Sequence, residues 1–477
     1  MLSNSLLERV YNETSTTVKE LVGTALSVAI LCDRWSNIRN EGIINFVVTV
    51  PQPLFWISIE TGADSHTGKY MANIVKKIIC DVGPMKVLGV CTDNAANMKK
   101  AWQLIVTEFP HIYPYGCLAH TLNLIFTDAS NLKSIADSQR NCTMVVKGIK
   151  NSQILSALLK QHQQKSGQII QQSLKLPIST TGLAIDDEAK SLAKPIQNLL
   201  LSEVFWDKVD GFIKLLKPIA IAIAAVEGDK LSLSIVAKTF SDLEKSFQDN
   251  ILCSPILKSE ENAIMEIIAK RRKFHIRNIH LAANLVDPCY KGCHISGDEM
   301  IDAIETLHKL GKMDSSIKEC DDKILGEIAD YRSNEGLFAK PFIWASVKHS
   351  SPVSWWKGIC CSCAPILSNI ASKILLLPPT SAAVKKLFSR QSWIHNQKRN
   401  RLTNDRASKL VFISHNLQLK NLKCNAESST SQSQEFFLDN GTSQSLESEV
   451  SSDSEEYGFD FTIEDLNEQE SQNTVFC

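Results

Sequence analysis

Several features that the 477-residue chain lacks exclude whole classes of protein. Its first residues, "MLSNSLLERVYNETS", contain no basic start followed by an apolar run, so the sequence predicts no secretory signal. The longest central apolar run, "IAIAIAAVEG" from Ile219, is too short to cross a bilayer, and no membrane role is expected. The 14 cysteines are therefore expected to be reduced thiols in a nuclear or cytoplasmic protein.

Acidic and basic residues occupy different parts of the chain, although the formal net charge is only -1. The segment from Cys424 to the end contains 13 Asp and Glu and no Lys or Arg. Residues 1–423 therefore hold all 51 basic residues against 39 acidic ones, a net charge of +12. A basic body suggests a polyanionic partner such as duplex DNA, and a mildly basic domain with a solvated tail is the alternative.

A stretch without acids lies between Glu335 and Asp405. Its 69 residues contain ten Lys and Arg together with several tryptophans. One-signed charge interleaved with aromatic side chains is typical of phosphate contact, whereas a solvated helix face is the plainer interpretation. The residues that we predict to contact nucleic acid here are Lys385, Lys386, Arg390, Lys398, Arg399 and Arg401.

Hydrophobic periodicity divides the chain into an α/β part and an α-helical part. Within residues 1–130, two successive strand patterns, a helix that stops at Gly83 and a further apolar strand predict a mixed sheet. Over residues 131–335 the strand patterns give way to helical spacing, and more helices follow over residues 336–423. Residues 424–477, rich in Ser, Gln, Glu and Asp, are predicted to form a disordered acidic tail.

Two aspartates at predicted strand ends are the sharpest candidates for chemistry. Asp33 ends "ALSVAILCD", and Asp93 ends "MKVLGVCTD". Carboxylates on adjacent strand ends can hold one or two Mg²⁺ ions that activate water or a sugar hydroxyl against a phosphodiester. The alternative is that each aspartate caps the turn or helix that follows it. No Gly-rich phosphate loop or Ser/His/Asp motif is visible, so no small-molecule substrate is expected.

Cys117 and His120 lie three residues apart in "CLAH", on one face of a predicted helix. They could be two zinc ligands, but no second pair with finger spacing is near them. The alternative is a core cysteine beside a hydrogen-bonded helical histidine. "CYKGCH" and "CCSC" also lack paired finger spacing, so free thiols are expected there.

These pieces, in this order, resemble the hAT superfamily of DNA transposases and host proteins derived from them. "LCDRWSN" is similar to the family's first-aspartate motif, with Asp33 and Trp35 matching. "CTDNAANMKKA" is similar to the second-aspartate motif, with Asp93 in the catalytic place and Asn94 and Asn97 around it. The resemblance implies a ribonuclease H-like core in which a metal triad of two aspartates and one glutamate cuts and joins DNA through Mg²⁺.

Further blocks extend the resemblance over roughly residues 20–420. "CLAHTLNL", with Cys117 and His120, "LVDPCYKG", "SWW" and "NRLTNDRASKLVFISHNL" are similar to successive landmarks of the family. They imply an all-helical insertion over residues 131–335 and a C-terminal region over 336–423 that forms a homodimer. The residues that the resemblance assigns to dimerisation are Trp355, Trp356, Leu387, Phe388 and Leu410.

The departures from the family pattern bear directly on function. In "SAAVKKLFS" the third carboxylate is replaced by Lys385, and Lys386 takes the place of an arginine. The Arg-Trp landmark of the insertion is missing near Thr180, and no BED-type zinc finger is expected before the core. The sequence therefore predicts a transposase-derived protein without catalytic activity, a dimerising and DNA-associated factor or a remnant, with Mg²⁺ only where activity persists.

Two alternatives remain open at this level. The chain is an active Mg²⁺-dependent transposase that takes its third acid from elsewhere, or an interaction scaffold that makes no contact with DNA.

Overall fold

A computed structural model describes residues 4–36, 42–50, 52–62, 67–153, 156–157, 160–161, 188–228, 232–313, 321–394, 403 and 405–418. The strands within these ranges are β1 (Val28–Ser36), β2 (Gly42–Thr49), β3 (Pro53–Glu60), β4 (Val87–Thr92) and β5 (Tyr113–Gly116). The helices of the N-terminal part are α1 (Asn4–Thr24), α2 (Gly68–Val82), α3 (Ala96–Glu108) and α4 (Leu118–Ser130).

The helices of the central part are α5 (Lys133–Asn151), α6 (Glu188–Leu200), α7 (Glu203–Val226), α8 (Ile235–Ile251), α9 (Lys258–His275), α10 (Asn278–Val286), α11 (Gly297–Met313) and α12 (Asp321–Ser333). Short helical turns follow at Gly336–Ala339, Pro341–Ala345, Ser346–His349, Pro352–Trp355 and, as a π-helical turn, Trp356–Cys360. The last helices are α13 (Pro365–Ile374), α14 (Ala382–Ile394) and α15, residues 405–418. None of the helices in these ranges is both long enough and apolar enough to cross a membrane.

The strands form one mixed sheet in the order β3-β2-β1-β4-β5. Strand β1 is antiparallel to β2 and parallel to β4, while β2–β3 is antiparallel and β4–β5 is parallel. Strands inside the sheet are more buried than those at its edge. Every residue of the inner strand β4 is buried, whereas the edge strand β3 is only partly buried. The structure thus confirms the predicted α/β class, with a mixed sheet in the N-terminal part and a large helical region after it.

Helix α2 illustrates how local sequence sets these elements. The Thr67 hydroxyl accepts a hydrogen bond from the Tyr70 N–H at 3.2 Å and caps the first turn. An apolar stripe that includes Val75 and Ile79 is buried. The helix ends at Gly83, whose φ of 106° is a conformation that side-chain-bearing residues rarely adopt. The predicted stop at Gly83 is confirmed.

Helix α15 covers the edge of the sheet. The Asn416 side chain accepts a hydrogen bond from the Phe55 N–H and donates one to the Phe55 carbonyl oxygen, both at 3.0 Å. This amide therefore pairs with β3 as a further strand would, and it removes part of an exposed strand edge.

The described residues divide into two compact units. The first takes in the described parts of Met1–Thr127, Leu216–Asp249 and Asn262–Ser433, including the whole sheet. The second takes in the described parts of Asp128–Leu215 and Asn250–Glu261.

A buried carboxylate organises the second unit. Glu260 accepts a hydrogen bond from the Ser134 N–H at 3.2 Å and one from the Ser134 hydroxyl. The Leu257 N–H lies 3.1 Å from the same hydroxyl oxygen. Burial raises the pKa of Glu260, but these hydrogen bonds outweigh it and lower the pKa overall. The charged carboxylate therefore joins the start of α5 to the start of α9.

A buried amide pair fixes α14 on the sheet. The Asn45 Nδ2 donates to Gln391 Oε1 at 2.8 Å, and Gln391 Nε2 donates back to Asn45 Oδ1 at 3.1 Å and to Ser58 Oγ at 2.9 Å. Asn45 is fully buried and Gln391 is 6% exposed. Every polar atom of Gln391 is thereby used to hold the helix in register with β2 and β3.

Replacing Gln391 with leucine is expected to lower the free energy of unfolding by about 1–2 kcal/mol, because it leaves the buried Asn45 Nδ2 without its acceptor. Urea denaturation followed by circular dichroism measures the change. The double variant Asn45→Leu/Gln391→Leu should recover part of the loss, since both polar groups are then removed together. A single variant as stable as the wild type would show that the pair makes no net contribution.

Candidate active site

Asp33 and Asp93 emerge side by side at one edge of the sheet. Strands β1 and β4 run parallel, with Leu31 opposite Cys91. The residues two positions further along the chain, Asp33 and Asp93, therefore lie beside each other on neighbouring strands. Asp93 directly follows β4, as predicted, whereas Asp33 lies inside β1 opposite Asn45, and the prediction that it ends its strand is wrong because β1 continues to Ser36. The expected convergence of the two aspartates follows directly from this register.

Backbone N–H groups orient both carboxylates. Asp33 Oδ1 accepts a hydrogen bond from the Arg34 N–H at 2.8 Å. Asp93 Oδ1 accepts one from the Ala95 N–H at 3.1 Å, immediately before α3. Asp93 thus caps the turn before α3 but not the helix itself, whose N-cap residue Ala95 receives no side-chain hydrogen bond. This role coexists with the placement of Asp93 beside Asp33.

The Asp33 carboxyl lies in an environment that disfavours its charge. Burial, the largest effect, helps to raise its pKa from 3.8 to about 6. The Lys385 ammonium lowers the pKa, the Asp93 carboxylate raises it, and hydrogen bonds from the Arg34 N–H and the Ser381 hydroxyl lower it again. The two aspartates and Lys385 therefore interact directly through their charges.

The segment before α14 brings Lys385 to this edge. The Leu118 N–H donates to the Pro379 carbonyl oxygen at 3.0 Å, and the Ser381 N–H donates to Cys117 Sγ at 3.3 Å. These bonds fasten the start of α14 to the start of α4, and Lys385 follows one turn later on the same helix. Cys117 itself is buried and acts as a hydrogen-bond acceptor.

His120 joins the same group of charges. Burial lowers the pKa of its half-buried imidazole, Asp93 raises it, and Lys385 and Arg271 lower it further. The four motif positions Asp33, Asp93, His120 and Lys385, far apart in the sequence, are thus brought together. The structure also adds Arg271, at the end of α9, which the sequence motifs did not indicate.

The donors at this edge do not fit the metal triad that the family resemblance implies. Mg²⁺ is held by oxygen ligands, whereas the third position here carries an ammonium group that can only donate hydrogen bonds. Among the residues that the structure describes, no three His, Cys, Asp or Glu side chains are placed to hold a metal ion. This also applies to Cys117 and His120 as zinc ligands.

A buried polar relay supports the loop after β4. Asn94 Nδ2 donates to Thr121 Oγ1 at 2.9 Å and lies 3.4 Å from His275 Nδ1, and Thr121 Oγ1 lies 2.8 Å from His275 Nδ1. Burial lowers the pKa of His275 to about 3, so the imidazole is neutral at physiological pH. The sequence signalled Asn94 through its motif but offered only a lone histidine after "KRRKF" for His275.

The other motif residues make local contacts. Trp35 stacks on Phe388 of α14, with ring centroids 5.9 Å apart and an interplanar angle of 17°. Asn97 Oδ1 accepts a hydrogen bond from the Met98 N–H at 2.8 Å in the first turn of α3. The tryptophan of the first-aspartate motif therefore packs against the same helix that carries Lys385.

Family comparisons match both ends of the described chain. Residues 1–145 match a domain of unknown function (DUF659), and residues 334–417 match the hAT family C-terminal dimerisation region. These two matches support an hAT-family, transposase-related protein. A search among curated proteins gives no match to it.

The dimerisation region of this hAT-type chain holds most of its assigned aromatic and apolar residues inside the protomer. Trp355, Trp356 and Leu387 are fully buried, whereas Phe388 and Leu410 are half-buried. The three buried side chains pack inside the protomer. Of the five assigned residues, Phe388 and Leu410 are therefore the ones that can touch a second copy directly. Their part in self-association remains a prediction.

The basic residues predicted to contact nucleic acid are placed unequally in the hAT-type chain. Lys386 is exposed on α14, next to Lys385. Arg390 donates to Ser414 Oγ at 3.1 Å and also bonds the Gln418 side chain, both on α15. Lys398, Arg399 and Arg401 lie outside the described residues, as does the degraded insertion motif near Thr180.

Proposed function

We propose that this hAT-type chain is a self-associating, nucleic-acid-contacting protein of the nucleus that has lost metal-dependent cutting and joining of DNA strands. One observation carries the proposal. A lysine, Lys385, acts electrostatically on both Asp33 and His120 at the strand edge where the family resemblance implies a third carboxylate.

The charge at this edge explains the proposed loss of activity. Two carboxylates attract a divalent cation. A nearby ammonium group repels the same cation and so weakens its binding. At about 4 Å a unit like-charge interaction costs roughly 4 kcal/mol at an effective dielectric of 20, and twice that for a divalent ion. Lys385 also supplies the counter-charge that the aspartates would otherwise take from a metal.

Self-association is supported by the matched region at residues 334–417. We propose a homodimer, tested by the solution mass of the full chain in sedimentation equilibrium over a range of concentrations. A chain that stays monomeric at the highest soluble concentration would contradict this part of the proposal.

Contact with nucleic acid is supported by the one-signed charge of the stretch between Glu335 and Asp405, with Lys386 exposed in it. The scaffold alternative is distinguished by equilibrium binding to duplex DNA at low salt. Absence of binding there would favour a protein that acts through other proteins only.

Lys385→Glu is expected to bind Mn²⁺ at least tenfold more tightly than the wild type, because it turns a repelling cation into a third carboxylate beside Asp33 and Asp93. Electron paramagnetic resonance of free Mn²⁺ measures the affinity directly. Lys386→Glu is the matched control, since it makes the same charge change one residue away on an exposed position. Equal Mn²⁺ affinity of the wild type, Lys385→Glu and Lys386→Glu would show that Lys385 does not prevent metal binding by its charge.

A strand-cleavage and strand-transfer assay with Mg²⁺ or Mn²⁺ tests the active alternative. The wild type is expected to be inactive. Cleavage by the wild type that Asp33→Ala or Asp93→Ala abolishes would show that a carboxylate from elsewhere completes the site.

A further inference from the structure

A group of cations lies on α3 and around the end of α9. Arg271 near the end of α9 and Arg277 just after it both act through their charges on Lys99 of α3. Burial lowers the pKa of Lys99, and Arg277 and Arg271 lower it further. We call these three residues the α3–α9 basic cluster.

Buried contacts hold the cluster in place. His275, two residues before Arg277, is buried and lies 2.8 Å from Thr121 on α4. The Arg277 guanidinium lies over the ring of Trp102, with Cζ 5.5 Å from the ring centroid. The Trp102 indole N–H in turn donates to Thr92 Oγ1 at 3.1 Å, directly before Asp93. Arg277, just after α9, is therefore linked through Trp102 to the last residue of β4, directly before Asp93.

An exposed aromatic ring belongs to the same surface. Phe274 is 56% exposed, and the Lys99 ammonium lies 4.7 Å from its ring centroid. An exposed phenyl ring beside cations can stack on a base while the cations contact phosphate. A cation–π pair buried in the core could do neither.

Charge continuity connects the cluster with the candidate active site. Arg271 acts on His120, and His120 is also acted on by Asp93 and Lys385. Arg271 therefore acts on both Lys99 of the cluster and His120 of the candidate active site. Cations gathered at this density repel one another, and a polyanion that bridges them relieves the repulsion.

We propose that the α3–α9 basic cluster binds the phosphodiester backbone of nucleic acid and guides it along the aspartate edge. The proposal rests on the proposed contact with nucleic acid, and it names the surface that makes the contact. It differs from the sequence-based prediction, which placed all phosphate contacts in α14 and the residues after it.

Fluorescence anisotropy of labelled duplex DNA and of its single strand, titrated with the full chain at several salt concentrations, tests the proposal. The variant Lys99→Gln/Arg271→Gln/Arg277→Gln should bind at least tenfold more weakly. Its salt slope should fall by about 2–3, because each phosphate contact contributes about 0.9 to the slope on duplex DNA. Phe274→Ala, which removes the exposed ring and no charge, should weaken binding to the single strand more than binding to the duplex.

The matched control is Arg9→Gln/Lys323→Gln/Arg332→Gln, which removes the same number and kind of charges from exposed positions elsewhere. The charge-conserving variant Arg271→Lys/Arg277→Lys should stay within about twofold of the wild type, which separates charge from folding. If the cluster variant binds like the control, the inference is overturned. If the wild type binds neither probe, the proposed contact with nucleic acid fails as well.

Discussion

Replacing Trp356 with alanine is expected to lower the free energy of unfolding by about 3–5 kcal/mol. The indole is fully buried, and its N–H donates to the Val286 carbonyl oxygen at 2.7 Å. Its ring lies 5.0 Å from Trp355 and 5.1 Å from Tyr331, between centroids. Alanine at this position opens a cavity among aromatic rings and leaves a buried carbonyl oxygen without its partner.

Urea denaturation gives this difference, and two further variants sharpen its interpretation. Trp356→Phe keeps most of the ring but loses the hydrogen bond, so it should fall between wild type and alanine. Trp393→Ala removes an indole that is 68% exposed and should change stability by less than about 1 kcal/mol. Equal stability of Trp356→Ala and Trp393→Ala would contradict the packing described.

The same variant separates core from interface. If Trp356 acts through the protomer core, self-association is lost together with folding. A Trp356→Ala protein that stays folded but becomes monomeric would instead place this residue at the subunit interface, as the family resemblance first implied.

Asp33→Asn is expected to be more stable than the wild type above pH 6, by up to about 3 kcal/mol, and equal to it near pH 4. The pKa of Asp33 is raised from 3.8 to about 6 in the folded protein, chiefly by burial. The folded state therefore holds its proton more tightly than the unfolded chain. The stabilisation that comes from protonated Asp33 is fully present below pH 3.8 and is lost as the pH rises through 6.

The measurement is the difference in unfolding free energy between Asp33→Asn and wild type at several pH values from 4 to 7.5. Because both proteins keep the buried His275 and His280, protonation of these imidazoles cancels in the difference. The exposed Asp249→Asn is the control and should show no such dependence. A difference that does not change with pH would show that Asp33 is solvated in the folded protein.

Strands β1 to β4 were predictable because each carries a local apolar pattern, whereas the short β5, "YPYG", does not. "GIINFVVTV" and "MKVLGVCTD" are short apolar runs bounded by turns, and the structure has β2 and β4 at these places. The stop of α2 at Gly83 was equally local. Strand β4 lies parallel to β1 because the chain leaves β1 through the β2–β3 hairpin and returns through α2.

The candidate site was only partly predictable. Asp33, Asp93 and Lys385 could be compared with a family pattern, and the structure brings them together. Arg271, Arg277 and His275 could not be found in that way, because α9 reads as an ordinary helix with a basic last turn. Their position depends on contacts with α3 and α4, which are more than 150 residues away in sequence.

By itself the sequence determined the α/β class, the two candidate aspartates and the replacement of the third acid by lysine, because periodicity and residue identity are local properties. Only the tertiary structure decided that Trp356 belongs to the protomer core and that Lys99, Arg271 and Arg277 meet beside the aspartates. Burial and the summation of charge depend on distances in space. Residues distant in sequence acquire those distances only when the helices pack on the sheet.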